Sequence, residues 1–114
     1  MKKLWSEAKT KSGRKRIYIL ILPTIRKVAR KNGYAIGLHG SMTRDLDLIA
    51  VPWVSKHATP NSLAHQIHKA VVKYAYSLKS VTAKNVKHKK PRGRIAYSLI
   101  LGPGGAYIDL SVKI

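Results

Sequence analysis

The sequence contains no cysteine, which excludes disulfides, thiolate nucleophiles and Cys-based zinc sites together. It also lacks a long hydrophobic run. The longest, residues 17–22, is six residues and is closed by Pro23, far short of the ~20 needed to cross a bilayer. The opening Met1-Lys2-Lys3 is followed by Ser6, Glu7, Lys9 and Lys11, which leave no apolar stretch for a signal peptide. A soluble, cytoplasmic protein with no membrane partner is expected. Acidic residues are nearly absent: four Asp and Glu face 23 Lys and Arg, for a net charge of +19. Such an imbalance attracts polyanions at long range, so nucleic acid is the first partner to consider. An anionic membrane surface or an acidic protein is the weaker alternative.

What remains is ordinary for a globular chain. Its 114 residues suit one domain, and 45% hydrophobic with 24% charged residues excludes wholesale disorder. Residues 2–16 hold seven Lys or Arg separated by Ser, Thr and Gly, which predicts a basic flexible arm over 1–16 and a single domain over 17–114. Ile21, Ile25, Val28 and Ala29 recur at helical spacing and Gly33 is a natural stop, so a helix is predicted to about Lys31. Pro23 should start or kink it, leaving 17–22 open to an extended form. Residues 34–38 and 46–51 read as strands. Thr59-Pro60 reads as a cap and first helical proline, followed by a helix with Leu63, Ile67, Ala70, Val71, Tyr74 and Leu78 on one face. Residues 84–94 form a second basic cluster. Residues 95–101 and 107–112 read as a hairpin joined through Gly102-Pro103-Gly104-Gly105. The order predicts an α+β fold: a small mixed sheet with helices packed on one face.

The few carboxylates are placed unevenly. Glu7 lies in the arm; Asp45 and Asp47 open one strand, and Asp109 lies within Tyr-Ile-Asp-Leu-Ser-Val. Strand alternation puts Asp45 and Asp47 on one face, with Leu46 and Leu48 turned to the core. Two like charges on one face repel unless a cation sits between them. Pairing of each Asp with one of the many Lys and Arg residues is the plainer reading. Hard divalent ions such as Mg²⁺ prefer carboxylate oxygens, and a two-ion site needs several of them close together.

Gly40-Ser41, then Asp45-Leu-Asp47 entering an apolar strand, then Asp109 on a later strand, resemble the nucleotidyltransferase fold of the DNA polymerase beta superfamily. The stretch from His39 to Trp53, with Pro91-Arg-Gly-Arg94 and the Gly-rich hairpin, is also similar to small bacteriophage proteins of that type. The resemblance covers residues 17–112. It implies that Gly40 and Ser41 contact nucleotide phosphates, that Asp45, Asp47 and Asp109 are catalytic and hold two Mg²⁺ ions, and that a bacterial host cell is the setting. The spacing departs from the family: only Met42, Thr43 and Arg44 separate Gly-Ser from Asp45, where nine or more residues are usual.

The function this implies is Mg²⁺-dependent transfer of a nucleotide from an NTP to a hydroxyl of nucleic acid or of a host protein. Arg44 would neutralise the triphosphate. Lys9, Lys11, Arg14, Lys15, Arg16, Lys87, Lys89, Lys90, Arg92 and Arg94 would hold nucleic acid. The alternative is a non-catalytic basic protein on the same fold that binds nucleic acid or blocks a host factor. Several other side chains are weighed more plainly. His39 is either a proton shuttle beside the phosphates or a structural hydrogen-bonding group. His65 and His68, three apart on a helix, read as a solvated face rather than metal ligands. Trp5 and Trp53 are candidates for base stacking, with packing at a strand end the preferred reading of Trp53. Gly102-Pro103-Gly104-Gly105 reads as a turn, since no Gly-Lys-Ser/Thr follows it.

Overall fold

The computed structural model describes residues 10–75, 85–90, 93–101 and 106–113. Among them, α1 (Lys11–Lys31) leads into β1 (Tyr34–His39) and β2 (Leu46–Pro52), α2 (Pro60–Ala75) follows, and β3 (Asn85–Lys90), β4 (Arg94–Ile100) and β5 (Tyr107–Lys113) complete the order. The strands form one mixed sheet in the order β1-β2-β5-β4-β3. Only β2 and β5 run parallel; the other neighbours are antiparallel. The α+β architecture with a mixed sheet is the one the sequence predicts.

Alternation decides which face is covered. Leu46, Leu48 and Ala50 of β2 and Ile108, Leu110 and Val112 of β5 are fully buried, in line with Tyr97 and Leu99 of β4. Ile17, Ile21, Ile25 and Ala29 of α1 and Leu63, Ile67 and Val71 of α2 close the same core from one side. Asp47, Ile49 and Asp109 point the other way and are half-buried. Ser111, on the same face as Asp109, and its register partner Ala96 are buried.

Three sequence expectations change here. α1 begins at Lys11, where the Thr10 side chain caps the Gly13 N–H at 3.0 Å. Lys11, Arg14, Lys15 and Arg16 are thus the first turns of a helix rather than part of an arm; residues 1–9 lie outside the described residues. The helix also runs unbroken through Pro23, so 17–22 are not extended. Pro23 lies on the exposed side of the helix, away from the stripe of Ile17, Ile21 and Ile25 that packs on the sheet. The basic cluster at 84–94 contains a strand, β3, that pairs with β4 along its whole length. The Thr59 cap holds as expected, with the Ser62 N–H bonded to Thr59 Oγ1 at 3.2 Å. The part of that helix expected beyond Ala75 lies outside the described residues.

His68 is a fourth correction, because it faces the core and not solvent. It is 5% exposed, and its Nε2 lies 2.9 Å from the Ile100 carbonyl, so Nε2 carries the proton and donates. Burial lowers its pKa below the ordinary 6.5, only partly offset by that hydrogen bond. The unfolded chain therefore takes up a proton near pH 6.5 that the folded chain refuses. Stability is full above that pH and falls as the pH drops further. A melting series from about pH 7 to about pH 5 should show a steeper loss for the native chain than for His68→Gln, which keeps a donor but cannot titrate. Equal slopes would show that His68 does not carry the dependence.

Candidate active site

The loop of residues 40–45 joins β1 to β2 and is held from below by the helix. Gly40 at φ +83° and Met42 at φ +62° take left-handed conformations that let so short a connection close. Arg14 Nε donates to the Thr43 carbonyl at 2.9 Å, and Tyr18 Oη donates to the Arg44 carbonyl at 2.9 Å. The Tyr107 N–H donates in turn to Tyr18 Oη at 3.2 Å. Fully buried Tyr18 thus ties α1, the loop and β5 together at one point. Within the loop, Ser41 Oγ and Thr43 Oγ1 are 2.9 Å apart. Arg14, expected to hold nucleic acid, spends its Nε on the loop. No simple sequence signal shows this, because the partner is a backbone carbonyl 29 residues away.

The carboxylates come together through strand pairing. Asp47 is the register partner of Asp109 across the parallel β2–β5 ladder, which sets their backbones about 4.8 Å apart. His39 is the partner of Asp47 on the other side, and a Cβ on Gly40 would lie 3.9 Å from Asp47 Cβ. Gly40-Ser41, His39, Asp47 and Asp109 therefore occupy one end of the sheet. Ser41, His39 and Arg44 are exposed there.

Asp45 sits just before β2, close enough to the Tyr107 hydroxyl for its negative charge to act on that group. Burial, followed by the charge of Asp45, raises the pKa of Tyr107, against the opposing pull of the Arg44 guanidinium. Tyr107 is thus a protonated donor at neutral pH. Carboxylate oxygens at Asp47 and Asp109 match the donor chemistry of a hard divalent cation. Among the described residues, however, no three His, Asp or Glu side chains gather to hold a metal. The ladder sets Asp47 and Asp109 side by side, while the three-carboxylate, two-ion arrangement expected from the sequence is not gathered among the described residues.

The remaining expected nucleic-acid contacts are scattered. Lys11, Lys15 and Arg16 are exposed on the first turns of α1, and Arg94 opens β4 half-buried. Lys87, Lys89 and Lys90 lie on β3, while Lys9 and Arg92 lie outside the described residues. Sequence reasoning missed Tyr107 as a neighbour of Asp45, and the only available signal was its place two residues before Asp109 on the same strand face.

No protein-family model matches the sequence, and no curated protein matches it. Solved structures do. A cytoplasmic RNA terminal U-transferase superposes over 94% of this chain with a TM-score of 0.50 at 13% identity. The polymerase core of TRAMP, an RNA surveillance complex, superposes over 84% with a TM-score of 0.51 at 18% identity. The chain spans only 32% and 30% of the length of those two structures. No described helix is long and apolar enough to cross a membrane. With its mixed sheet, its one-sided helices and the loop beside Asp47, the chain has the fold of the nucleotidyltransferases.

Proposed function

We propose that the protein transfers a nucleotide from an NTP to a nucleic-acid hydroxyl, with Asp47 and Asp109 as the central carboxylates. One observation carries this reading: a chain with four acidic residues sets two of them side by side in register on the sheet face turned from the core, next to the Gly40-Ser41 loop. Two adjacent carboxylates offer the oxygen donors that a hard divalent cation prefers. The Gly40 and Ser41 backbone and the Ser41 hydroxyl would receive the phosphates, and exposed Arg44 would neutralise them. Mg²⁺ held by Asp47 and Asp109 would supply charge neutralisation at the reacting phosphoryl and acidify the acceptor hydroxyl. The residues' own contribution is positioning: α1 fixes the loop through Arg14 and Tyr18, and the β2–β5 ladder fixes the acids.

A second reading is a protein that keeps this fold and binds nucleic acid without catalysis. The short loop, with only three residues between Gly40-Ser41 and Asp45, favours it. Metal separates the two. If Asp47 and Asp109 hold a cation, Mg²⁺ or Mn²⁺ should raise the melting temperature by mass action, by about 2.7 kcal/mol at a hundredfold excess over Kd. Asp109→Asn should remove that rise. A native chain whose melting ignores both ions supports the non-catalytic reading.

A further inference from the structure

Away from the carboxylates, the free edge of the sheet carries a second concave feature. β1 is a terminal strand, and at its beginning Arg26, Arg30, Tyr34, Ala35, Ile36 and Trp53 line a cleft of about 510 Å³. This lies at the opposite end of β1 from His39, roughly 16 Å along the strand. The composition of the cleft is unusual for a simple surface hollow. Trp53 is 60% exposed, contrary to its expected packing role, and its N–H is fixed to the Gly33 carbonyl at 3.0 Å. Arg26 Nη1 donates to the Ile36 carbonyl at 2.7 Å, which pins one guanidinium along the strand edge. Arg30, one turn further along α1, is exposed beside it.

We propose that this cleft is a binding site for single-stranded nucleic acid, with one base on the Trp53 indole and its phosphates on Arg26 and Arg30. The volume is in the range of small-ligand pockets. An exposed indole on an anchored backbone is a stacking platform that any base can use. Two guanidiniums recognise phosphate by bidentate hydrogen bonding as well as by charge. The chain's net charge of +19 draws such a strand in but does not choose the place; the indole does. A duplex keeps its bases stacked on one another and cannot offer one to Trp53.

Fluorescence provides the test. The chain has two tryptophans, so in a Trp5→Phe background Trp53 reports alone. Titration with a short oligouridylate, an oligothymidylate and a blunt duplex of matched charge should give saturable quenching with both single strands. Trp53→Ala, followed by polarisation of a labelled strand, should weaken single-strand binding about 5- to 150-fold and leave duplex binding unchanged. Arg30→Ala should weaken it as well and reduce the slope of log K against log salt by about one. Oligodeoxyuridylate, which differs from oligouridylate in the sugar alone, assigns RNA if the ribose strand binds more tightly and single strands of either sugar if the two bind equally. Both substituted side chains are exposed, and matching melting temperatures would confirm folding. Unchanged single-strand affinity in both variants would overturn the proposal. So would an equal loss for the duplex, or displacement of the strand by a polyglutamate peptide at matched charge. The assay needs neither Mg²⁺ nor NTP, so the cleft stands or fails separately from nucleotidyl transfer.

Discussion

Asp47→Asn or Asp109→Asn should reduce label transfer from an NTP by at least about a thousandfold, since each removes one of the two adjacent carboxylates proposed to share a cation. The substitution keeps shape and leaves the ladder backbone untouched, because the pairing of Asp47 with Asp109 is made by main-chain groups. Both side chains are half-buried, so the fold should survive. Circular dichroism and melting of the variants then separate a lost site from a lost structure. Asp45→Asn is the informative companion. It keeps the shape of the side chain and removes its charge. A transfer rate reduced as far as in the other two would bring Asp45 into the metal site, and a near-native rate would leave it outside that site.

The largest effect on stability is expected at Gly33. It follows the Asn32 cap of α1 at φ +85°, where side chains are disfavoured. A Cβ there would lie 2.7 Å from His57 Cβ and 2.9 Å from His57 Cα. The segment it would strike cannot retreat easily. The Ala58 N–H is bonded to the Asn32 carbonyl at 2.9 Å, and the Trp53 N–H to the Gly33 carbonyl at 3.0 Å. The Ala58 carbonyl also accepts from Tyr34 Oη at 2.6 Å, and the Tyr34 ring meets His57 edge to face at 5.1 Å. Strain and overpacking together should destabilise Gly33→Ala by about 2–4 kcal/mol, or roughly 10–20 °C in Tm. Gly93 supplies the control. It has φ +67° but nothing within 4 Å of a built Cβ, so Gly93→Ala carries the conformational penalty alone. If the two substitutions lower Tm equally, the packing explanation for Gly33 is wrong.

Much of this architecture is legible without coordinates because its signals are local. Thr59 and Pro60 start α2 where capping preferences place them. Gly33 ends α1 for the same class of reason. The alternation in Leu46-Asp-Leu-Ile-Ala and in Tyr107-Ile-Asp-Leu shows which residues enter the core. β3 escapes notice because Asn-Val-Lys-His-Lys-Lys lacks apolar alternation. A Lys-rich terminal strand is a common way to protect a sheet edge from further pairing. The start of α1 escapes notice because its first buried residue is Gly13, whose lack of a side chain hides the stripe that Ile17 and Ile21 continue. The candidate site is half legible. Three acids on strand-like segments can be picked out along the chain. Their arrangement depends on the parallel β2–β5 pairing, which joins segments about 60 residues apart and leaves no local trace. The roles of Arg14, Tyr18 and Tyr107 are hidden for the same reason, since each acts on a partner brought in by the fold.

Whether the register pair Asp47–Asp109 serves nucleotidyl transfer is measured most directly by incubating the protein with α-labelled NTPs, Mg²⁺ and separate pools of single-stranded RNA and DNA, and following label into the polymer. Incorporation is expected that disappears with a chelator and in Asp109→Asn. A folded native chain that transfers no label from any NTP to either pool, and whose melting temperature is unmoved by Mg²⁺ or Mn²⁺, would contradict it.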